Sequence, residues 1–458
     1  MSGKSINKFF APKSVAIVGA SENPKKFGHV ILKNYMDMGF SGKIYPVNPK
    51  ADSILGIKCY KSVLDVREDI DSAVIVVPPQ AANEALKECV KKRIDAVVMI
   101  TAGYRETGGA GVAREQELKS IIKDTNTRVV GPNCIGIYDS FGRIDTLFLP
   151  DYKLKRPRAG DIAFISQSGA FALSILDWAA TEEIGISRFV SYGNRADVDE
   201  IELLNYLLDD KKTRAIAVYL EGVRNGRDFL ECLKKVACRK PVVILKAGKS
   251  AAGTRAVQSH TGSLAGSYDV FRGAIRQGGA VEAENTEQLF DFCRVLAYQP
   301  AAKGKRIAVV TNGGGFGVMC ADSIERCGLS LAEFSKDTVE GVKSVMPREY
   351  SSVHNPLDLI GDADVRRFEV AIDKVIKDKN VDGIIIVTLL QTASLGPEIV
   401  DVIASANERS RKPIVVSASG GEYTQLLLRS LEKDGIPAYP SPDRAVSAMK
   451  TLIEYSER

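Results

Sequence analysis

The segment Lys249–Ser267 contains the histidine with the clearest chemical potential in this chain. The protein has three histidines, and His260 lies in a nineteen-residue stretch, KSAAGTRAVQSHTGSLAGS, made mostly of small residues. Such a segment buries little apolar surface, so we expect a mobile loop rather than a packed element. Its small neighbours leave room for a bulky group on an imidazole nitrogen. This pattern indicates a histidine that is phosphorylated and then moves; the alternative is an exposed histidine without a chemical role.

A carboxylate that would orient this imidazole is found at Glu221, after the apolar stretch in VYLEGV. If that stretch is a buried strand, Glu221 lies at the carboxyl end, where ligands bind in open α/β sheets. There it would accept the Nδ1–H of His260, fix the tautomer and leave Nε2 free as a nucleophile. The alternative is an ordinary strand-end acid that faces water.

Two turns of small residues are typical of anion sites. Each lies between an apolar stretch and a helical pattern, one at Ser168, Gly169 and Ala170 and the other at Gly313, Gly314 and Gly315. Exposed N–H groups and the positive end of a helix attract anions at such junctions. Adjacent glycines are unfavourable for backbone entropy unless the main chain approaches a ligand closely. Two such sites would hold one phosphoryl group; for the first turn, a plain N-cap serine is the alternative.

The first turn of the chain, Gly19-Ala20-Ser21, lacks the GxGxxG spacing of a dinucleotide site. The second strand ends at Asn48 and Lys50, where an NAD site would have an acid for a ribose hydroxyl. Lys50 suits a ribose phosphate instead, such as the 3′-phosphate of coenzyme A. Lys25 and Lys26 would add charge for the pyrophosphate. Solvated surface lysines are the alternative.

All of these residues follow short apolar stretches that alternate with helical patterns. An apolar run, a Gly/Ser turn and a helical period occur in this order three times, beginning at Ser14, Asp161 and Arg306. Fully apolar, β-branched runs predict parallel strands that are covered on both faces. We therefore predict an α/β protein of three consecutive doubly wound domains: a Rossmann-like CoA-binding domain over 1–148 and two flavodoxin-like domains over 149–300 and 301–458.

Composition excludes several classes of function. The net charge is only +5 and the basic residues are scattered, so no face is suited to nucleic acid. No apolar run is long enough to span a bilayer, and we expect no membrane partner. The eight cysteines have no zinc-site spacing, which predicts no metal site and free thiols in a reducing cytoplasm.

Taken together, the motifs resemble the α subunit of ADP-forming acyl-CoA (acetate–CoA) synthetases, within the succinyl-CoA synthetase superfamily. The resemblance covers nearly the whole chain and rests on SHTGSLAGS, SQSGAF, YLEGV, GPNCIG, TNGGG and NPLDL. It implies the reaction acyl-CoA + ADP + phosphate ⇌ carboxylic acid + CoA + ATP, with His260 phosphorylated and Glu221 as its partner. It also implies phosphate sites at the two anion turns and a CoA site at Gly19, Ala20, Ser21, Asn48, Lys50, Val77, Pro78 and Pro79.

The same resemblance implies a partner that binds the nucleotide. The chain has no GxxxxGK[ST] loop, and the family's ADP or ATP and Mg²⁺ bind on an ATP-grasp β subunit, usually in a cytoplasmic α₂β₂ complex. Four alternatives stay open: a succinyl-CoA synthetase α subunit, a protein-acetylating enzyme, a non-catalytic CoA-binding regulatory protein and, more distantly, a nicotinamide dehydrogenase. The sequence does not fix the acyl group, the choice of ADP or GDP, or the physiological direction.

Overall fold

The computed structural model describes residues 6–261, 267–348 and 353–458, without the side chains of residues 258–261. The chain forms two compact units. The first consists of Met1–Thr181 and Gly185–Glu282, and the second of Glu182–Ile184 and Ala283–Arg458. Within the described ranges, no helix has the length and apolar character needed to cross a membrane.

The first unit contains two sheets, of which the first has five parallel strands in the order β2-β1-β5-β6-β7. Its strands and a small hairpin, β3–β4, are β1 Ser14–Val18, β2 Lys43–Val47, β3 Ser53–Ile54, β4 Ile57–Lys58, β5 Ser72–Ile75, β6 Ala96–Met99 and β7 Arg128–Val130. Its helices are α1 Phe27–Asp37, α2 Pro79–Lys91 and α3 Gly109–Ile122. All residues of β1, β5, β6 and β7 are buried, as expected for strands covered by helices on both faces.

The second sheet has seven strands in the order β14-β13-β12-β10-β11-β8-β9. They are β8 Gly136–Asp139, β9 Ile144–Asp145, β10 Ala159–Ser166, β11 Ile186–Ser191, β12 Ala215–Leu220, β13 Val242–Lys246 and β14 Val281–Ala283. The strands from β10 to β13 are parallel, whereas β8 is antiparallel to β11 and β9 to β8. The helices are α4 Gly169–Thr181, α5 Glu200–Asp209, α6 Gly226–Ala237, α7 Ala251–Thr261 and α8 Tyr268–Gln277.

The second unit is built on a sheet with the order β16-β15-β18-β19-β20, and β17 also pairs with β15. Its helices are α9 Thr286–Tyr298, α10 Gly314–Arg326, α11 Lys336–Lys343, α12 Val365–Lys377, α13 Ile399–Arg409, α14 Glu422–Lys433 and α15 Pro442–Ser456. Its strands are β15 Arg306–Thr311, β16 Ser330–Leu331, β17 Leu357–Asp358, β18 Gly383–Val387, β19 Ile414–Ser417 and β20 Ala438–Tyr439.

Capping side chains fix where several helices begin. A side-chain oxygen accepts a hydrogen bond from a backbone N–H of the first turn at Asp199, Asn225, Asn285, Ser335, Asp364 and Ser441. Such caps satisfy N–H groups that have no partner within the helix and contribute about 1 kcal/mol each. The helices therefore begin at defined residues beside the ends of the strands.

The predicted fold class of three doubly wound α/β domains is confirmed. The domain boundaries at 148/149 and 300/301 stay predictions. The hairpin β8–β9 lies before the predicted boundary at 148/149 but belongs to the second sheet. Helix α9 lies before the predicted boundary at 300/301 but belongs to the second unit.

The predicted loop at Lys249–Ser267 is wrong over Ala251–Thr261, which form helix α7. Of the described side chains in this helix, only that of Val257 is buried. Alanine is the best helix former, so a segment that buries little apolar surface can still be helical. Residues 262–266 of the predicted loop lie outside the described residues.

Candidate active site

Most of the predicted site residues lie where a sheet changes its direction of winding; Asn48 and Lys50 follow β2 instead, and His260 lies on α7. In the three sheets the winding changes between β1 and β5, between β10 and β12, and between β15 and β18. At such a position the segments that follow the two strands diverge and leave a crevice at their carboxyl ends. The topology therefore explains why residues far apart in the sequence share one edge.

In the first sheet, the turn after β1 requires glycine. Gly19 has a φ of +99°, and a Cβ at this position would lie 2.7 Å from the carbonyl oxygen of Val76, which follows β5. A Cβ on Gly28, in α1, would lie 2.0 Å from the carbonyl oxygen of Gly19. The two glycines therefore let the main chain of this turn pass between β5 and α1.

Polar contacts connect the rest of this turn to the end of β2. The Asn48 side-chain amide donates to the carbonyl of Ala20 at 2.7 Å, and its oxygen accepts from the backbone N–H of Lys50 at 2.8 Å. Buried His29 has its Nδ1 2.8 Å from the carbonyl oxygen of Ser21, so this histidine holds the turn. The side chain of Lys50 is exposed.

Lys25 and Lys26 are also exposed, directly after this turn. The backbone N–H of Lys25 bonds to the side chain of Asn23 at 2.9 Å, which orders the main chain here. The structure thus brings the predicted basic residues to one edge of the first sheet.

A cavity of about 900 Å³ lies in the first unit, lined by residues that follow strands of both sheets. Six of the predicted site residues line it: Val77, Pro79, Ser168, Gly169, Ala170 and Glu221. Part of its wall is apolar, with the rings of Phe27 and Phe148 stacked at 4.3 Å between centroids. The residues of the predicted CoA site that do not line it are Gly19, Ala20, Ser21, Lys25, Asn48, Lys50 and Pro78.

At one end of the cavity, the turn before α4 is held by its own hydroxyl groups. Ser166 Oγ donates to the carbonyl of Ser168 at 2.8 Å, and Ser168 Oγ accepts from the N–H of Phe171 at 3.4 Å. A Cβ on Gly169 would lie 2.6 Å from the side chain of Ile135. A side chain here would therefore displace Ile135, and the residues at the N-terminus of α4 line the cavity.

Glu221 follows β12 and is 7% exposed. Residues of the same turn are bound by the amide of Gln167, whose Nε2 donates to the carbonyl of Gly222 at 2.8 Å. Tyr219 stacks on Phe171 at 4.1 Å, and burial, together with the charge of Glu221, raises the pKa of its hydroxyl to about 12. The turn is therefore packed against the start of α4.

His260 lies on helix α7, but its side chain is outside the described residues. Contact between Glu221 and His260 therefore stays a prediction. The sequence interpretation also assigned no role to three residues whose side chains bind the Glu221 turn, namely Gln167, Arg195 and Lys246. A polar side chain directly at the end of an apolar strand is the signal that could have singled out Gln167 and Lys246.

The cavity is lined by charged residues of both signs, the arginines Arg105 and Arg195 and the acids Glu106 and Glu221. Arg224 donates to the carbonyl of Asn194 at 3.0 Å. Burial lowers the pKa of both Arg105 and Arg224, and repulsion from Arg195 adds to this effect. Arg195 is paired with Glu200 at 2.8 Å and Arg105 lies 3.8 Å from Glu115.

The only thiol that lines this cavity is not a nucleophile at neutral pH. Burial raises the pKa of Cys134 to about 12, so the thiol keeps its proton. Across the described part of the chain, no group of three His, Cys, Asp or Glu side chains is arranged as a metal site.

In the second unit, the predicted glycine turn precedes α10. The hydroxyl of Thr311 accepts from the N–H of Gly313 at 3.0 Å, and the amide of Asn312 binds both backbone groups of Leu389 at 3.1 and 2.7 Å. A Cβ on Gly314 would lie 2.6 Å from the carboxylate of Asp358, whereas Gly315 faces open space. Gly314 and Gly315 begin α10, whose N-terminal N–H groups attract anions, whereas the N–H of Gly313 is already bound to Thr311.

Three family models match the chain in succession. They describe a CoA binding domain over residues 13–140, a succinyl-CoA ligase like flavodoxin domain over 159–296 and a ligase-CoA domain over 307–453.

Relatives of known function match over almost the full chain. An ADP-forming acetate–CoA ligase I of Archaeoglobus fulgidus is 41% identical over 99% of this chain, which spans 64% of that relative's length. The α subunit of an ADP-forming acetate–CoA ligase I of Pyrococcus furiosus is 40% identical, with 99% of this chain and 98% of the relative covered. Among solved structures, a dinucleotide-forming acetyl-coenzyme A synthetase 1 of Ca. Korarchaeum cryptofilum, in complex with phosphate and ADP, has a TM-score of 0.92, 37% identity and coverage of 99% of this chain and 97% of its own.

Proposed function

Because the chain belongs to the family of ADP-forming acetate–CoA ligase α subunits, we propose that it is the CoA-binding and phosphohistidine-bearing subunit of an ADP-forming acyl-CoA synthetase. The reaction is acyl-CoA + ADP + phosphate ⇌ carboxylic acid + CoA + ATP. The observation that carries this proposal is the cavity of the first unit, which is lined by the end of the first sheet, the Ser168 turn and Glu221. A thioester, a phosphate and a phosphoryl acceptor must meet in one such place.

Coenzyme A binds along the edge of the first sheet. The exposed Lys50 meets the 3′-phosphate and Lys25 the pyrophosphate, while the pantetheine arm passes Val77, Pro78 and Pro79 into the cavity. The apolar wall of the cavity, with Phe27 and Phe148, supports this path for an uncharged arm. Gly19, Ala20, Ser21 and Asn48 shape the turn that the nucleotide end approaches.

In the cavity, an oxygen of inorganic phosphate attacks the thioester carbonyl. The C–S bond breaks, CoA leaves as the thiolate and an acyl phosphate forms. Nε2 of His260 then attacks phosphorus, the P–O bond to the acyl group breaks, and the carboxylate leaves. Finally, a β-phosphate oxygen of ADP takes the phosphoryl group from the histidine and ATP is formed.

Each of these transfers concentrates negative charge on phosphoryl oxygens. The N–H groups at the start of α4, at Ser168, Gly169 and Ala170, and at the start of α10, at Gly313, Gly314 and Gly315, stabilise this charge. Glu221 accepts the Nδ1–H of His260 and stabilises the charged ring. These groups are preorganised by the contacts within their turns.

The nucleotide binds on a partner subunit. The Pyrococcus relatives that this chain covers to 98% are α subunits by name, which supports a complex of more than one kind of chain. The partner has an ATP-grasp fold, holds ADP or ATP with Mg²⁺, and joins this chain in an α₂β₂ complex in the cytoplasm.

An assay of the complex tests this function. The chain is combined with its nucleotide-binding partner, and ATP formation from ADP, phosphate and a panel of acyl-CoA thioesters is followed by spectrophotometry. We expect ATP and free CoA in equal amounts, and no ATP without phosphate. A complex that binds CoA but forms no ATP from any thioester would refute the proposal.

A further inference from the structure

The turn that carries Glu221 is bound through its main chain by one side-chain amide. Gln167 Oε1 accepts hydrogen bonds from the N–H groups of both Glu221 and Gly222, the latter at 3.0 Å. Gln167 Nε2 donates to the carbonyl of Gly222 at 2.8 Å. One amide therefore pairs with three of the four backbone polar groups of these two residues.

Two cations complete this set. Lys246 Nζ donates to the carbonyl of Glu221 at 2.9 Å and also to that of Ala247, while Arg195 donates to the carbonyl of Gly222 at 2.6 Å. Lys246 is 8% exposed and Arg195 is 4% exposed. As a result, a side chain binds every backbone N–H and C=O group of Glu221 and Gly222.

The three side chains come from three different strands. Gln167 follows β10, Arg195 follows β11 and Lys246 ends β13, and both β10 and β13 flank β12 directly. A turn at a strand end usually satisfies its backbone groups with water or with its own side chains. A buried polar network whose members are all satisfied makes the structure rigid.

We propose that Gln167, Arg195 and Lys246 form a clamp that holds the Glu221 carboxylate in the orientation its partner imidazole requires. This proposal rests on the proposed function, because it assigns the clamp to the residue that supports the phosphohistidine. The three are positioning residues, which act through Glu221 rather than on the reacting atoms. Misplacement of a catalytic group by about 1 Å can lower the reaction rate about 100-fold, so a clamp that prevents such a shift supports turnover.

The charges of the clamp are arranged for the same purpose. Arg195 is paired with buried Glu200 at 2.8 Å. Burial lowers the pKa of Lys246, the charge of Glu221 opposes this change, and that of Lys249 adds to it. The clamp therefore supports Glu221 both sterically and electrostatically.

Two variants remove the clamp, and each has a matched control. Gln167→Met and Lys246→Met keep the side-chain volume but lose the hydrogen bonds. The control Gln299→Met removes an amide whose oxygen accepts from the N–H of Ile414 at 2.8 Å. The control Lys240→Met removes an ammonium that donates to the carbonyls of Leu207 and Asp210. Arg195 is left unchanged, because its loss would leave Glu200 buried without its cation.

Hydrogen exchange of the holo complex measures the clamp directly. We expect the amides of Glu221 and Gly222 to exchange at least tenfold faster in Gln167→Met and Lys246→Met, and at the wild-type rate in both controls. Wild-type exchange in the clamp variants would overturn the proposal. Hydrogen exchange does not depend on the reaction, so it tests the clamp even if the complex has no synthetase activity. A lack of synthetase activity would refute the proposed function but not the clamp.

Kinetics of the same variants test whether the clamp acts through Glu221. Each clamp variant should lower kcat at least tenfold with CoA affinity unchanged within twofold, and Lys246→Arg should recover most of the loss. In a Glu221→Gln background the clamp variants should lower kcat less than twofold further, because the group that they position is absent. A full tenfold loss in that background would overturn the positioning role.

Discussion

The turn before α4 and the turn before α10 have the same design in two different units. In each, the last strand residue carries a hydroxyl group that bonds within the turn, and the next residue is an amide, Gln167 or Asn312, that binds backbone groups after the neighbouring strand. The register makes the neighbours equivalent: Ser166 pairs with Tyr219, and Thr311 pairs with Val387. Both turns thus expose helix N–H groups from a fixed main chain.

The two turns differ at one position, which lies two residues after Tyr219 in the first unit and two residues after Val387 in the second. There the first unit has Glu221 and the second unit has Leu389, and only the turn of Glu221 is also bound by a buried lysine and arginine. An anion site needs N–H donors alone, whereas a site that supports a charged imidazole also needs a carboxylate. Glu221 is thus the feature on which the proposed support of the phosphohistidine by the first turn depends, since the second unit has Leu389 at that position.

The largest effect should come from the residue that distinguishes the two turns. Glu221→Gln should lower the phosphoenzyme level and turnover about 100-fold, because an amide cannot stabilise an imidazolium as a carboxylate does. The matched change in the second unit, Leu389→Gln, should alter turnover less than threefold. Steady-state kinetics and phosphohistidine quantification compare the two variants. Equal losses in both would abolish the distinction between the turns.

A smaller effect is expected after β2, where the proposed recognition of CoA depends on the exposed charge of Lys50 rather than on a helix start. Lys50→Ala should weaken CoA binding about tenfold, since a contact at a wet rim contributes less than a buried one. Dephospho-CoA should bind the variant and the wild type equally. Lys43→Ala, at the opposite end of β2, is the control. Calorimetry measures both ligands, and a parallel loss of dephospho-CoA affinity would show that Lys50 does not meet the 3′-phosphate.

The smallest effects concern the free energy of unfolding, which should change in opposite directions when a glycine is replaced in each of the two anion turns. Gly315 faces open space in the first turn of α10, so Gly315→Ala should raise the free energy of unfolding by about 0.5–1 kcal/mol. Gly169→Ala should lower it by about 1–3 kcal/mol, because its Cβ would meet Ile135. Urea titrations report both changes. If turnover falls in Gly315→Ala although stability rises, a ligand lies close to that main chain. If both variants change the free energy of unfolding in the same direction, the packing described for Gly315 and Gly169 is wrong.

The strand ends could be predicted from the sequence, because buried parallel strands are apolar throughout and their turns are rich in glycine. The sequence therefore predicts Glu221 and the residues of both glycine turns at strand ends, and the structure places them after β12, β10 and β15. The low apolar content of the segment Lys249–Ser267 predicts a loop, whereas the structure has helix α7, because alanine favours a helix even where little surface is buried. Local composition describes burial better than it describes backbone conformation.

The clamp could not be predicted, because its members are far apart in the sequence. Gln167 and Glu221 are separated by 54 positions, and they meet only because β10 and β12 are neighbours in the sheet. The hairpin β8–β9 was missed for a related reason: its strands are short, and their place beside β11 follows from tertiary packing. Strand order is the information that a pattern of apolar residues does not contain.

Phosphorylation of His260 tests the central claim most directly. The complex is incubated with Mg·ATP, and the phosphate bound to this chain is assayed for lability in acid and stability in base, then located by mass spectrometry. The account predicts one such phosphate per chain, on His260, and none in His260→Asn, which should keep its fold and CoA affinity but lose turnover. Phosphate at another residue, or full turnover in His260→Asn, would contradict the account.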